Sequence, residues 1–249
     1  CGDNCETLAG MPAESVDLVV TSPPYDDLRT YGGHSWDFPR LAGELTRVLK
    51  NGGVIVWVVS DGTKSGSESL TSFKQAIHFK EELGLNIYDT MIWQKPSPQA
   101  PTEGRYYDVF EYMFVISKGK PKSLNLLADR VNLTAGAKGQ KESRSNKEDR
   151  KYTGETRVTK ELSRRFNVWE ISRGESHTAH PAVFPESLAS AHVESWSNPG
   201  DIVLDPFAGS GTTLKAAKEL NRRFIGIEVN PEYVDICKKR TAQEVLPLF

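Results

Sequence analysis

The stretch Ile202-Val-Leu-Asp205-Pro-Phe207-Ala-Gly209-Ser-Gly211-Thr-Thr213 decides the fold. It reads as a short strand, a Gly-x-Gly turn and the start of a helix. Glycines let a backbone approach a ligand closely, and a helix start leaves N–H groups free to meet it. Glu228 closes the next apolar run, 17 positions after Gly211. An acid there can accept both hydroxyls of a ribose. The unit is therefore expected to bind an adenosine-like ligand. A phosphate-binding loop would need Gly-Lys-Ser/Thr, but Thr212 follows Gly211 and Lys215 is out of place. A dinucleotide fingerprint would need a third glycine. A purely structural turn would not require Asp205-Pro-Phe207 before it and Glu228 after it.

Working outward, Thr212–Leu220 reads as a helix, Phe224–Glu228 as a strand, and a last helix starts at Pro231. A helix is expected near Pro185–Trp196. Towards the start, Asp17–Thr21 reads as a short buried strand ended by Ser22-Pro23-Pro24-Tyr25, because two prolines stop regular structure. Phe38, Leu41, Leu45, Val48 and Leu49 lie on one helical face, and Asn51-Gly52-Gly53 ends that helix. Val54–Val59 is apolar throughout, as a strand covered on both faces would be. A helix through Phe73, Ala76, Ile77 and Leu83 ends at Gly84, and Leu85–Trp93 and Val109–Ile116 read as strands. Strands alternating with helices predict an α/β fold with a mostly parallel sheet.

The chain has 249 residues, of which 38% are apolar and 26% charged. Its mean hydropathy is −0.47. This is the composition of one large globular domain, or of one domain with an insertion. No run approaches the roughly 18 apolar residues of a membrane helix. No signal-peptide pattern opens the chain. It starts Cys1-Gly-Asp rather than with Met, so a few preceding residues are expected to be missing. The three cysteines, Cys1, Cys5 and Cys237, are odd in number and lack paired spacing, which predicts a reducing, cytoplasmic setting.

The net charge of −2 is unevenly spread. Residues 120–167 carry thirteen Lys or Arg against six Asp or Glu, a balance of +7, so the remainder carries −9. That segment also loses clear periodicity and reads as a loop-like insertion in contact with a polyanion.

The Ser22–Tyr25 turn has its own chemistry. Prolines lack N–H groups, so their carbonyls stand out as acceptors from a rigid turn. Ser22 adds a hydroxyl and Tyr25 a flat ring. Together they could hold a planar ring bearing an NH₂ group.

The two turns in one chain resemble the S-adenosylmethionine-dependent DNA amino-methyltransferases, in the permuted class whose catalytic turn precedes the cofactor loop. Gly2-Asp3, Leu49-Lys-Asn-Gly-Gly53, Ile92-Trp-Gln-Lys-Pro96, His180-Pro-Ala-Val-Phe-Pro185 and Gly226-Ile-Glu228 are also similar to that family. The resemblance spans nearly the whole chain except residues 120–167. It implies a Rossmann-like sheet of seven strands, mostly parallel, with one antiparallel strand. Asp205, Phe207, Gly209, Gly211 and Thr212 would then wrap the cofactor's methionine part. His180, Pro181 and Phe184 would border it, Glu228 would hold the ribose, and Asp3 with Asn4 would meet the adenine edge. Gly2-Asp-Asn-Cys5 departs from the common Gly-Asp-Cys. Ser22, Pro23, Pro24 and Tyr25 would hold the target base.

The resemblance further implies double-stranded DNA as substrate and residues 120–167 as the target-recognition insertion between catalytic parts 1–119 and 168–249. Arg144, Arg150, Arg164 and Arg165 are its candidate base readers, and Tyr31, in a loop with His34 and Trp36 expected to close over DNA, is a further contact. Ser at the head of the catalytic turn is typical of cytosine-N4 enzymes, whereas adenine-N6 enzymes more often carry Asp or Asn. Cytosine C5 chemistry would need a cysteine beside a proline, and none of the three has one. An RNA methyltransferase and a silent nucleic-acid-binding module of the same fold are the alternatives. The class often dimerises, so a homodimer is one expected assembly. Trp57, Asp61 and Trp93 are read as lining a base pocket or, for the tryptophans, as core. His177 and His180 have metal-like spacing, but Pro181 breaks the helix they would need, so no metal is expected. Asn132-Leu-Thr134 matches a glycosylation acceptor that a cytoplasmic protein would not use.

Overall fold

The computed structural model describes residues 1–24, 36–96, 104–144, 150–172 and 185–242. In chain order the elements are α1 (Asn4–Ala9), β1 (Val16–Thr21), α2 (Phe38–Val48), β2 (Leu49–Val59), β3 (Thr63–Lys64), β4 (Ser67–Glu68), α3 (Thr71–Glu81), β5 (Asn86–Gln94) and β6 (Phe110–Ser117). There follow β7 (Arg130–Val131), β8 (Lys138–Arg144), β9 (Arg150–Val158), β10 (Leu162–Ser163) and β11 (Val168–Glu170). The last are α4 (Glu186–Trp196), β12 (Ile202–Asp205), α5 (Thr212–Glu219), β13 (Arg223–Gly226) and α6 (Pro231–Ala242).

Seven strands form one sheet in the order β11-β5-β6-β2-β1-β12-β13. The pairs β11/β5, β2/β1, β1/β12 and β12/β13 are parallel. Strand β6 runs against both of its neighbours. This is the expected sheet of seven with one reversed strand.

Local sequence explains the elements. Every residue of β1 is buried, as a strand covered on both faces requires. In α2 the buried residues Leu41, Ala42, Leu45 and Val48 repeat at helical spacing. Asp37 caps its start by accepting from the Arg40 amide at 3.1 Å, and Pro39 fits the first turn, where its missing N–H is no loss.

Alternation then sorts side chains to two faces. Val19, Ile55, Trp57, Phe114 and Ile116 join α1, α2 and α3 in one core cluster. Met113 faces the other way, where His192 of α4 lies 3.2 Å from its sulfur. The result is three layers, helix on sheet on helix.

From β1 the chain crosses to β2 on one side, and from β12 it crosses to β13 on the other. The sheet therefore changes winding direction between β1 and β12. Ligands of open α/β sheets bind at the carboxyl ends of the strands at such a point. Asp205 ends β12, and Ser22-Pro23-Pro24 leaves the end of β1.

The chain divides into two compact units, Cys1–Asn125 with Asn167–Phe249, and Leu126–Phe166. The second begins later than the expected boundary at 120, because Lys120 and Lys122 belong to the first. Lys122 Nζ lies 3.6 Å from Asp17 of β1. The loop-like reading of this stretch is corrected. Strands β8 and β9 form an antiparallel pair, and β7 pairs with β10. The residues of these strands are mostly polar or charged, and they alternate too weakly for strand periodicity to show. The expectation also lacked α1, β11 and the β3/β4 hairpin, all too short to produce a period. Among the described residues no helix is long and apolar enough to cross a membrane.

Candidate functional site

The glycine turn is built around Asp205. Its carboxylate is 5% exposed and accepts from the Thr21 hydroxyl at 2.7 Å and from the Phe207 amide at 3.0 Å. Burial pushes its pKa up to about 6, outweighing these bonds and one from Thr213, and the Glu228 charge adds to the rise. Gly211 has φ +83°, and a Cβ there would meet Cys237 Sγ at 2.5 Å. Only glycine satisfies both limits. Thr212, the next residue, opens α5.

Glu228 stands just past β13. Its two oxygens accept from the Gly209 amide and the Asn230 amide, each at 2.9 Å. The segment Gly2–Asn4 joins the same place, although it is more than 200 residues away along the chain. The Gly2 amide donates to the Glu228 carbonyl at 3.0 Å, and Asn4 Nδ2 reaches the Pro206 carbonyl at 3.4 Å. Asp3 caps α1 by accepting from the Glu6 amide at 2.9 Å.

Asp3, Asn4, Asp205, Phe207, Gly209, Gly211, Thr212 and Glu228 thus form one constellation at the carboxyl ends of β12 and β13. Ser22, Pro23 and Pro24 adjoin it through Thr21, with Pro23 buried. A fixed carboxylate, backbone amides at a helix start and a tight glycine turn suit a ligand with a ribose and a charged amino-acid tail. Tyr25, Tyr31, His180, Pro181 and Phe184 lie outside the described residues, as do His34 and His177.

Three residues unassigned from sequence, and Trp36, which was expected in a loop over DNA, also shape the site. Arg240 of α6 donates to the Ser210 carbonyl and hydroxyl, both at 2.8 Å, and to Thr212 Oγ1 at 3.3 Å. Glu186 holds that guanidinium at 2.6 Å and also takes Lys215 at 2.8 Å. Burial opposes ionisation of Glu186, but hydrogen bonds from Lys215 and Arg240 outweigh it and hold the carboxyl low. The Trp36 ring meets Phe207 edge-on at 5.2 Å, so Trp36 packs against the glycine turn. Thr21 is the fourth. An arginine 30 positions beyond the turn it braces leaves no local pattern to find.

Trp57 is fully buried and donates to Gln75 at 2.9 Å, so it belongs to the core. Trp93 is 4% exposed and donates to the Ile171 carbonyl at 2.8 Å. Asp61 accepts from the Ser72 amide at 2.9 Å in the first turn of α3, a capping bond. All three side chains carry bonds to neighbouring elements. In the second unit, Arg165 is paired with Asp129 through Nε at 3.0 Å. The Arg164 carbonyl accepts from Arg130 Nε at 3.2 Å. Arg144 and Arg150 are partners in the backbone register at the β8/β9 ends. Among the described residues no group of three or more His, Cys, Asp or Glu could hold a metal ion.

A doubly wound sheet with a carboxylate and glycine turn at its switch point, beside a second turn rich in acceptors, has the form of a site for a nucleoside-bearing ligand. The particular family follows from comparison with known proteins. The profile of the N6/N4 DNA methylase family matches residues 16–239, and the chain belongs to that family. It is 50% identical over 241 residues to the orphan methyltransferase M.BamHII of Bacillus amyloliquefaciens, covering 93% of this chain and 91% of that one. Its fold is similar to the cytosine-N4-specific PvuII DNA methyltransferase, with a TM-score of 0.70 at 24% identity over 99% of this chain and 86% of that one. It is also similar to a DNA modification methylase of Thermus thermophilus solved in complex with S-adenosylmethionine. That likeness has a TM-score of 0.64 at 29% identity, over 97% and 91% of the two chains. The protein is an S-adenosylmethionine-dependent DNA methyltransferase.

Proposed function

We propose that this methyltransferase modifies the exocyclic N4 amine of a cytosine flipped out of double-stranded DNA. The observation that carries the reading is the contact between the two turns. Thr21, directly before Ser22-Pro23-Pro24, bonds to Asp205 of the cofactor turn at 2.7 Å. A base held at Ser22 is then next to whatever the glycine turn holds.

An amine inside a duplex is out of reach, so the nucleotide must leave the stack. Its lone pair is delocalised into the ring and is a poor nucleophile. Ser22 Oγ and the Pro23 carbonyl accept its protons, which favours a more tetrahedral nitrogen. They also face the positive charge that grows on that nitrogen. Tyr25 stacks on the base and fixes its plane. Asp205, Phe207, Gly209, Gly211 and Thr212, with His180, Pro181 and Phe184, hold the cofactor's amino-acid end. Glu228 accepts the ribose hydroxyls, and Asp3 with Asn4 meets the adenine edge. When bound, S-adenosylmethionine supplies an electrophilic methyl group. Aligned binding alone lowers the barrier substantially.

Residues 126–166 are the target-recognition region in this reading, with Arg144, Arg150, Arg164 and Arg165 as readers and Tyr31 as a contact from the catalytic side. Ser22 favours cytosine, and adenine N6 is the second reading. Mass spectrometry of nucleosides from DNA treated with the protein and S-adenosylmethionine tests both. N4-methylcytosine is expected. N6-methyladenine would retain the site and overturn the choice of base.

A further inference from the structure

Two side-chain bonds join the end of β1 to the glycine turn and to helix α5. The β1/β12 ladder pairs Leu18 with Val203 and Val19 with Leu204. Beyond it, Thr21 pairs through its backbone with Trp57 of β2, on the other side. What ties Thr21 to β12 is its hydroxyl, which donates to Asp205 Oδ1 at 2.7 Å. The same oxygen accepts from the Phe207 amide at 3.0 Å. One carboxylate oxygen thus carries a donor from each turn. Thr213, in the first turn of α5, adds a second tie by donating to the Val20 carbonyl at 3.3 Å. Both threonines are buried, at 1% and 2% exposure, so water competes weakly with either bond.

We propose that Thr21 is a positioning residue that locks the catalytic turn to the cofactor turn, so that a filled cofactor site fixes Ser22 and Pro23 for the base. This rests on Ser22–Tyr25 being the base-holding turn. Cofactor contacts to residues 205–213 restrain Asp205, and a restrained Asp205 restrains Thr21. Ser22 is the next residue, and the two following prolines transmit the constraint without slack. A displacement of about 1 Å between the reacting groups costs roughly 100-fold in rate. A hydroxyl that holds the two turns in register therefore acts on turnover more than on affinity for either substrate.

The test is amide hydrogen exchange of the intact protein with and without S-adenosylmethionine, on the wild type, Thr21→Val and Thr21→Ser. Steady-state kinetics on DNA runs alongside. In the wild type, cofactor at about ten times its Kd should slow exchange at Val20, Thr21 and Ser22 by about ten-fold. In Thr21→Val the protection should stay at residues 205–213 and vanish at 20–22, while Thr21→Ser restores it. The kcat of Thr21→Val should fall about ten-fold, with both KM values within about two-fold. Equal protection of residues 20–22 in wild type and Thr21→Val overturns the proposal, as does no protection in the wild type. Should Thr21→Val not fold, Thr21→Ala, which also lacks the hydroxyl, reports instead, and unchanged protection of residues 20–22 there overturns the proposal equally. A wild type that shows the protection yet transfers no methyl to any DNA would sink the base-holding reading and leave the coupling intact.

Discussion

Asp205 shows how one residue can trade stability for function. Its carboxyl is buried beside Thr21, Thr213 and the Phe207 amide, with Glu228 as a nearby negative charge, and its pKa is raised to about 6. An acid whose folded pKa exceeds its unfolded value contributes stability below about pH 4. That contribution is lost as pH rises through about 6. The loss is about 3 kcal/mol for a rise of roughly two units. Asp205→Asn removes it while keeping an acceptor of the same shape. Thermal denaturation across pH 4–8 should therefore show the variant gaining on the wild type as pH rises, while its cofactor affinity falls. A constant offset at all pH values would remove burial as the cause. Tyr25→Ala addresses the other turn. Loss of stacking should weaken DNA binding by roughly 1–3 kcal/mol and leave cofactor affinity unchanged, both readable by calorimetry.

At the scale of elements, the cofactor turn is stiffened from outside. Helix α6 contributes Arg240, whose guanidinium bridges Ser210, Thr212 and Glu186. Glycines at 209 and 211 allow the turn its shape but give it no rigidity of their own. Arg240→Gln keeps a donor of shorter reach and deletes the charge. Cofactor affinity is expected to drop about ten-fold, since a bond to a charged donor is worth roughly 1.5–3 kcal/mol and this one is partly solvated. The circular dichroism spectrum should be unchanged. Affinity equal to wild type would show that the turn holds its shape alone. Elements with a strong apolar period were legible in the sequence. Helices α2 and α5 lie within a few residues of their expected bounds, because a buried face imposes its period on the side chains, whereas β2 starts five residues early, at Leu49, and takes in the Asn51-Gly52-Gly53 expected to end the helix. Strand β11, with three residues, and strands β8 and β9, with polar sequences, were not. Neither short length nor a polar sequence leaves a period to read.

At the scale of the molecule, the chain is an acidic unit with a basic one spliced in. Residues 126–166 carry eleven Lys or Arg against six acids, +5 in total. Within that unit, the Asn132 amide bonds to the Glu161 carbonyl at 2.8 Å, and the Gly136 amide bonds to the Thr159 carbonyl at 3.0 Å. The ends of the β8/β9 excursion are therefore close together. Deleting residues 136–160 should close the chain without disturbing the sheet. The truncated protein is expected to keep its cofactor affinity, lose site preference and show weaker salt dependence of DNA binding, as phosphate-neutralising cations are removed. Methylation mapped on random-sequence DNA measures the preference, and retained selectivity would move the recognition role elsewhere.

By itself the sequence determined six of the sheet's seven strands and the order of the two turns. These depend on local periodicity and on residue types a few positions apart, which any reader of the chain can see. It also placed Asp205, Gly211 and Glu228 in one unit, since strand, turn and helix follow one another there. Only the tertiary structure decided that Gly2 meets Glu228, that Thr21 meets Asp205 across 184 positions, and that Arg240 braces Ser210. It likewise placed Trp57 in the core and Asp61 against the Ser72 amide of α3. Such contacts arise from the parallel pairing of β1 with β12 and from the packing of α6 beside the turn. Their energy depends on which surfaces meet in space, a property that no short window of residues contains.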